Sequence, residues 1–398
     1  MRKVSLQTGW LTTPAGVGSV GPLGDGKPAT RAALDGACGI AVDHSRNLVI
    51  ADTYHERVRV VAARTGRFYG RPMTAGDIYT VAGNGTQGYS GDGRRATAAE
   101  LSLPLGVAVD AAGNLVIADT FNQRVRVVAA RTGRFYGRAM TAGDIYTVAG
   151  NGTQGYSGDG GRATAAELAL PFGVAVDGAG NLVTADSSNE RVRVVAARTG
   201  RFYGRAMTAG DIYTVAGNGR RGFSGDGGPP AKAELSTPAG AAVDGAGNLV
   251  IADTGNNRVR VVAARTGRFY GRAMTAGDIY TVAGDGTRGF SGDGGPATGA
   301  ELSFPQGVAV DRAGNLVIGD TGNHRVRVAA ARTGRFYGRA MTAGDIYTVA
   351  GSGMRGFFGD GGPAARARLW RPFGVAVDGA GNLIIADMNN SRIREVTR

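Results

Sequence analysis

Short apolar runs separated by turn residues recur along the whole chain. In one copy, the runs are GVAVD (106–110), NLVIAD (114–119), RVRVV (124–128) and IYTVAG (145–150). Runs of this length, rich in β-branched residues and bounded by Gly, Asn, Asp and Thr, predict strands. No copy has a segment with the 3.6-residue spacing of a long amphipathic helix. Each copy therefore predicts four short strands.

The copies follow one another at a constant spacing. The aspartates that end the NLVIAD-like runs lie 67 residues apart, at Asp52, Asp119, Asp186, Asp253, Asp320 and Asp387. The GVAVD and NLVIAD runs are apolar on both faces, which is typical of a sheet packed between two neighbouring sheets. Four-stranded sheets repeated around an axis form a β-propeller, so six copies predict six blades.

The two ends of the chain indicate how the ring closes. The last copy stops after RIREV (392–396) and lacks its fourth strand. The segment LTTPAG (11–16) lies where the repeat spacing places an IYTVAG run, and it is a weak copy of that run. We therefore expect residues 11–16 to supply the outer strand of blade 6, because this pairing removes the open ends of the array. The predicted fold is an all-β, six-bladed propeller with four antiparallel strands per blade, forming one domain over residues 1–398.

The sequence PxGVAVDxxGNLVIADTGNNRVRV, found with small changes at 238–261, resembles the NHL repeat. The preceding run GFSGDGGP (289–296) is similar to the connection in bacterial and teneurin-type NHL propellers. The resemblance extends over essentially the whole chain and implies the propeller fold. It says little about activity, because NHL propellers include RNA binders, protein-interaction platforms, kinase sensor domains and a few lyases.

Charge and residue counts narrow the range of functions. The formal net charge is +13, and only three of the 45 basic residues are lysine, so arginine supplies almost all of the positive charge. Arginine suits bidentate contacts with phosphate or carboxylate groups. Cys38 is the only cysteine and there are three histidines, so we expect no disulfide, no metal site and no cofactor. The sequence contains no signal peptide and no transmembrane segment, and we expect a monomer that does not insert into membranes.

The repeated aspartates have structural explanations. Asp52 and Arg57, with their equivalents in every copy, flank a four-residue turn, so we expect a cross-strand ion pair. The aspartates of the VDxxGN motif, such as Asp110, are expected to bond their own turn. Those of the SGDG motif, such as Asp92, are expected to stabilise a tight turn. A ring of catalytic carboxylates or a calcium site is the weaker interpretation of these positions. Cys38 aligns with inner-strand positions of the other copies.

An arginine-rich segment, RTGRFYGR, occurs five times before the fourth strand. Arginine interleaved with aromatic residues is typical of surfaces that bind single-stranded RNA or DNA. The competing interpretation is a hairpin whose aromatics pack on the adjacent blade and whose arginines are solvated. For the nucleic-acid alternative, the candidate residues are Arg64, Arg67, Tyr69, Arg131, Arg134 and Tyr136.

Differences between the copies fall mainly on one predicted face, which holds the second turn of each unit and the connection between units. Variable loops on a rigid scaffold are the usual place for binding residues. We therefore predict a non-enzymatic binding scaffold for a protein, peptide or glycan, with nucleic-acid binding as one alternative and a lyase- or lactonase-like enzyme as another. The candidate ligand-binding residues are Tyr54, His55, Phe121, Arg221, Arg288, Arg355, Trp370, Arg371 and Phe373.

Overall fold

The computed structural model describes residues 8–19, 21 and 23–398, and these residues form a closed ring of six four-stranded antiparallel sheets. We number the sheets as blades 1 to 6 in the order of their inner strands along the chain. In each blade, successive strands lie from the axis outwards and are named inner, second, third and outer. The predicted six-bladed propeller is confirmed. The described part of the chain contains strands and 3-10 turns and no α-helix.

The strands have nearly the same bounds in every blade. The inner strands are Ala37–Val42, Pro104–Val109, Pro171–Val176, Pro238–Val243, Pro305–Val310 and Pro372–Val377. The second strands are Leu48–Asp52, Leu115–Asp119, Leu182–Asp186, Leu249–Asp253, Leu316–Asp320 and Leu383–Asp387. The third strands are Arg57–Val61, Arg124–Val128, Arg191–Val195, Arg258–Val262, Arg325–Ala329 and Arg392–Val396. The outer strands are Asp77–Ala82, Asp144–Ala149, Ile212–Ala216, Ile279–Ala283, Ile346–Ala350 and, in blade 6, Leu11–Ala15.

The amino-terminal strand closes the ring as predicted. Leu11 pairs with Val396 and Ala15 with Ile393, with a bulge between Thr12 and Ala15. Leu11 is fully buried in the cluster that joins blades 5 and 6. The predicted segment 11–16 thus becomes the strand Leu11–Ala15, one residue shorter.

The inner strands pack so closely that glycine is required between them. A Cβ placed on Gly240 would lie well inside van der Waals contact of the Gln306 carbonyl oxygen in the next blade. The same relation links Gly39 to Leu105 and, across the closure, Gly374 to Cys38. Each inner strand therefore packs on the next through main-chain atoms, and the glycine of the GVAVD motif sets the distance between blades.

The turns divide the propeller into two faces. The amide of Tyr54, in the second turn of blade 1, donates to the Asp35 carbonyl oxygen of the preceding connection at 3.1 Å. We call the side with the second turns and the connections the connection face. On the opposite side, the Tyr69 hydroxyl donates to Asp43 of the first turn at 3.1 Å. We call that side the hairpin face, because a hairpin lies there between the third and outer strands of blades 1 to 5.

The RTGRFYGR segments form these hairpins. Their strand pairs are Gly66–Phe68 with Arg71–Met73, Gly133–Phe135 with Arg138–Met140, Gly200–Phe202 with Arg205–Met207, Gly267–Phe269 with Arg272–Met274, and Gly334–Phe336 with Arg339–Met341. In the first hairpin, Phe68 and Tyr69 pack against the apolar cluster between blades 1 and 2, while Arg64 and Arg67 are exposed.

The second turns and the connections contain short 3-10 turns. The second turns hold Thr53–His55, Thr120–Asn122, Ser187–Asn189, Thr254–Asn256, Thr321–Asn323 and Met388–Asn390. The connections hold Ala29–Arg31, Ala96–Ala98, Ala163–Ala165, Pro230–Lys232, Ala297–Gly299 and Ala364–Arg366. Two connections also add two-residue strands, Lys27–Pro28 and Arg94–Arg95, to the outer edge of a sheet.

Candidate functional site

Each blade contains a fully buried arginine in its third strand, and this arginine engages the repeated aspartates. Arg126 lies 3.4 Å from Asp119 Oδ2 and 3.4 Å from Asp92 Oδ1, and it also donates to the carbonyl oxygens of Glu100 and Ser90. Carboxylate and carbonyl oxygens replace water around this buried guanidinium. The equivalent buried arginines are Arg59, Arg193, Arg260, Arg327 and Arg394.

The prediction of a cross-strand ion pair named the wrong arginine as the partner of the aspartate. Asp119 and Arg124 are opposite each other in the strand register, as expected. The arginine that pairs with Asp119 is nevertheless Arg126, two residues further on, whereas Arg124 donates to the carbonyl oxygens of Asn122 and Asn151. Val125 and Val127 lie on one face of this strand and Arg126 on the other. Both faces are covered, so Arg126 is buried.

The aspartates of the NLVIAD-like runs and of the SGDG motif have structural partners. Asp119 Oδ1 accepts a hydrogen bond from the main-chain amide of Ser102 at 2.7 Å, and Oδ2 accepts one from the side-chain amide of Asn122. Burial raises the pKa of Asp119 to about 6, although Arg126 and these hydrogen bonds lower it. Asp92, in the SGDG motif, accepts the amide and hydroxyl of Thr147 on the outer strand. The carboxylates therefore join each connection to the blade that follows it.

The hairpin tyrosines are used in the same structural way. The Tyr136 hydroxyl donates to Asp110 Oδ2 at 3.1 Å, and the ring is buried. Tyr69 makes the equivalent bond to Asp43 and is half-buried. Burial, followed by the nearby Asp110, raises the pKa of Tyr136. The buried Tyr136 ring cannot stack on a base, so its inclusion among the candidate nucleic-acid-binding residues was wrong. The other candidates Arg64, Arg67, Arg131 and Arg134 are all exposed.

The two histidines of the second turns have different contacts. His55 Nδ1 lies 2.9 Å from Asp52 Oδ2, at a position where the other blades have asparagine bonded to the same aspartate. His324 Nδ1 accepts the amide of Arg371 from the next blade at 3.2 Å. Gln123 makes the same contact with the Leu170 amide, so His324 replaces another acceptor side chain. Burial, followed by Arg371 and Arg355, lowers the pKa of His324.

The exposed large hydrophobic side chains of the described residues are confined to the connection face. Eleven large hydrophobic residues are exposed among the described residues, and each lies in a second turn or a connection. Five of them share one position and stack under an arginine of the third strand, as Tyr89 does at 3.6 Å from Arg124. The other six are not repeated between copies, and these are Tyr54, Phe121, Phe304, Met354, Phe358 and Trp370.

These six side chains lie on four consecutive blades of the ring. Phe304 lies in the connection into blade 5, and Met354, Phe358 and Trp370 lie in the connection into blade 6. Tyr54 and Phe121 follow in the second turns of blades 1 and 2. Blades 5, 6, 1 and 2 are consecutive around the closed ring, so the six side chains form one sector of the connection face. We call it the aromatic sector.

The predicted ligand-binding residues are only partly gathered in this sector. Arg371 is close enough to Tyr54 to affect its ionisation, and the Arg288 guanidinium lies 4.4 Å from the Phe304 ring. Phe373 is half-buried on the inner strand of blade 6. Arg221 lies in the connection into blade 4, outside the sector, and bonds Ser236.

Sequence reasoning missed four exposed residues of the sector. Met354 and Phe358 replace Thr86 and Ser90 of the connection into blade 2, and both are more than half exposed. Arg368 replaces glutamate in the equivalent connections, for example Glu100, and Arg366 replaces an alanine in two of them. The signal was available at three of these positions, because Met354, Phe358 and Arg368 differ from every other copy, whereas Arg366 has an equivalent in Arg31.

Comparisons with known proteins agree with the repeat and the fold. The NHL repeat family matches residues 101–128, 235–262 and 302–329, which confirms the resemblance seen in the sequence. The chloroplastic protein SUPPRESSOR OF QUENCHING 1 of Arabidopsis thaliana is 28% identical over 323 residues, covering 80% of this chain and 27% of that protein. Human Teneurin-1 is 28% identical over 273 residues, covering 62% of this chain and 9% of that protein. The chain thus spans less than a third of either relative.

Solved structures with the same architecture have diverse descriptions. An auxiliary nutrient binding protein from Bacteroides ovatus superposes with a TM-score of 0.60 at 14% identity, covering 98% of this chain and 76% of that chain. A gluconolactonase from Xanthomonas campestris superposes with a TM-score of 0.51 at 15% identity, covering 97% and 88%. At such identities, the likeness describes the fold alone.

Proposed function

We propose that this chain, which carries NHL repeats closed into a six-bladed propeller, is a non-enzymatic binding module that holds a protein, peptide or glycan on its connection face. The observation that carries the proposal is the confinement of all eleven exposed large hydrophobic side chains of the described residues to that face. Contiguous exposed apolar residues usually mark an interaction site. Aromatic and arginine residues, which the sector combines, often dominate binding energy at such sites.

The charge of the aromatic sector supports an anionic ligand. The connection into blade 6 exposes four arginines together with Trp370, namely Arg355, Arg366, Arg368 and Arg371. Where the connections into blades 2 to 5 have Glu100, Glu167, Glu234 and Glu301, this one has Arg368. A ligand with carboxylates next to apolar groups, such as an acidic peptide segment, would contact both kinds of side chain.

The state of the carboxylates supports a binding role over a catalytic one. The aspartates of all three repeated motifs accept hydrogen bonds from the fold, as Asp92, Asp110 and Asp119 do in blade 2. The equivalent aspartates of blades 3 and 4, which have no exposed sector residue, also accept hydrogen bonds from the fold. These carboxylates stabilise the fold, and the variable side chains of the connection face are therefore the candidates for ligand contacts.

Selection of ligands from a peptide display library and a glycan array tests the proposal. We expect enriched ligands that combine acidic and apolar groups. Their affinity should fall at least about tenfold in the double variant Trp370→Ala/Arg371→Gln, since anchors of these types often contribute most of the binding energy. A control variant, Thr153→Ala, alters an exposed connection residue outside the sector. Failure to select any ligand, or ligands that bind the double variant unchanged, would contradict the proposal.

A further inference from the structure

The hairpin face presents exposed arginines in a regular array. Each of the five hairpins exposes two arginines that form no ion pair within the described residues, ten in all. They are Arg64, Arg67, Arg131, Arg134, Arg198, Arg201, Arg265, Arg268, Arg332 and Arg335. Three further exposed arginines lie on the same side, in first turns or after the last third strand, namely Arg46, Arg312 and Arg398.

The hairpins are held in equivalent positions around the axis. Each has the same strand register, such as Gly66 with Met73, and each is tied to the first turn of its blade by a tyrosine–aspartate bond. The hairpins also contact the next blade, where a Cβ on Gly271 would lie 3.0 Å from Cα of Gly344. Because anchoring and register repeat, the five arginine pairs occupy equivalent positions around the axis on the hairpin face.

This face differs from the connection face in its apolar surface. Among the described residues it exposes no large hydrophobic side chain, because Phe68 and its equivalents pack against the blades. We therefore expect the hairpin face to attract a partner by electrostatics, without inserting large apolar side chains into it. A linear polyanion crossing the ring meets the arginines of a few blades at a time, whereas a flat anionic surface meets all five hairpins together.

We propose that the hairpin face docks on the surface of an anionic lipid bilayer. Basic residues near a membrane of acidic lipids add their attractions, and salt screens this attraction within about 10 Å at 0.1 M. Docking in this orientation leaves the connection face directed away from the bilayer. The proposal does not depend on the ligand of the connection face.

Sedimentation with vesicles tests the docking. The wild-type chain should sediment with phosphatidylcholine vesicles that contain about 30% phosphatidylglycerol, stay in solution with pure phosphatidylcholine, and be released by about 0.5 M salt. Replacing one arginine per hairpin by glutamine, at Arg67, Arg134, Arg201, Arg268 and Arg335, should weaken vesicle binding by about 100-fold. Thermal unfolding of this variant verifies that it is folded.

A charge-matched control separates the array from net charge. In the control, five exposed arginines of the connection face are replaced by glutamine, namely Arg220, Arg221, Arg288, Arg355 and Arg371. It should keep vesicle binding within about threefold, because these residues lie on the other face. Equal losses in both variants would overturn the proposal. It would also be overturned if the wild-type chain ignored anionic vesicles but bound single-stranded RNA or DNA through the hairpin arginines.

Discussion

The imidazole Nδ1 of His324 in blade 5 accepts the main-chain amide of Arg371 in blade 6 at 3.2 Å. In the other joints of this kind, Glu56, Gln123, Glu190 and Asn257 supply the acceptor. Only the histidine loses its acceptor when it is protonated. One joint between blades therefore depends on pH in a way that the others do not.

We expect His324 to reduce stability in mild acid. The pKa of His324 lies below its ordinary value because of burial and the nearby Arg371, so the unfolded chain takes up the proton more readily than the folded one. Stability should therefore fall as the pH drops below about 6.5, with the loss of a hydrogen bond worth about 1 kcal/mol. Urea unfolding at several pH values should show a weaker acid dependence in His324→Gln, which copies Gln123. An unchanged dependence in the variant would contradict this.

Replacing Arg126 by methionine should destabilise the fold by about 3–5 kcal/mol, since it leaves the buried Asp119 without its charge partner. Denaturant unfolding measures the loss. The exposed Arg134→Met serves as the control and should change stability little. The double variant Arg126→Met/Asp119→Asn should recover part of the loss. If it is no more stable than the single variant, the ion pair is not the cause.

The glycine contact between inner strands predicts a steric effect. Gly240→Ala places a methyl group against the Gln306 carbonyl, and the strain should cost about 1–3 kcal/mol in unfolding free energy. Gly245→Ala is the matched control, because nothing lies within 4 Å of its Cβ position. Similar melting temperatures for the two variants would show that the inner ring adjusts.

Closure by the amino-terminal strand can be tested at Leu11. Leu11→Ala should destabilise the ring by about 2–5 kcal/mol, because a buried side chain in the joint of blades 5 and 6 is lost. Thr12→Ala on the same strand changes a partly exposed residue and should have a smaller effect. Thermal unfolding followed by circular dichroism compares the two. Equal effects would mean that the strand adds little beyond its main-chain bonds.

The repeat spacing was sufficient to predict the ring and its closure, because register carries over from one unit to the next without insertion. It was not sufficient for the ion pair of the third strand, where we expected Arg124 and found Arg126 paired with Asp119. The burial of Arg126 depends on Asp92, 34 residues away in the connection, and such a pairing cannot be seen in local periodicity. The ligand-binding residues stay a prediction. The sequence shows that Phe358 and Arg368 differ from the other copies, but it does not show that their side chains are exposed.

The joint between neighbouring blades also bears on how such a gene can change. The donor in each joint is a main-chain amide, at Leu103, Leu170, Thr237, Phe304 or Arg371, and it is the same group whatever side chain the residue carries. If gene conversion replaced one unit by a copy of its neighbour, the main-chain amide of the new unit could still donate to the acceptor side chain of the adjacent blade. Novel surface residues can therefore spread from unit to unit, or be confined to one, while the disc that displays them is inherited intact.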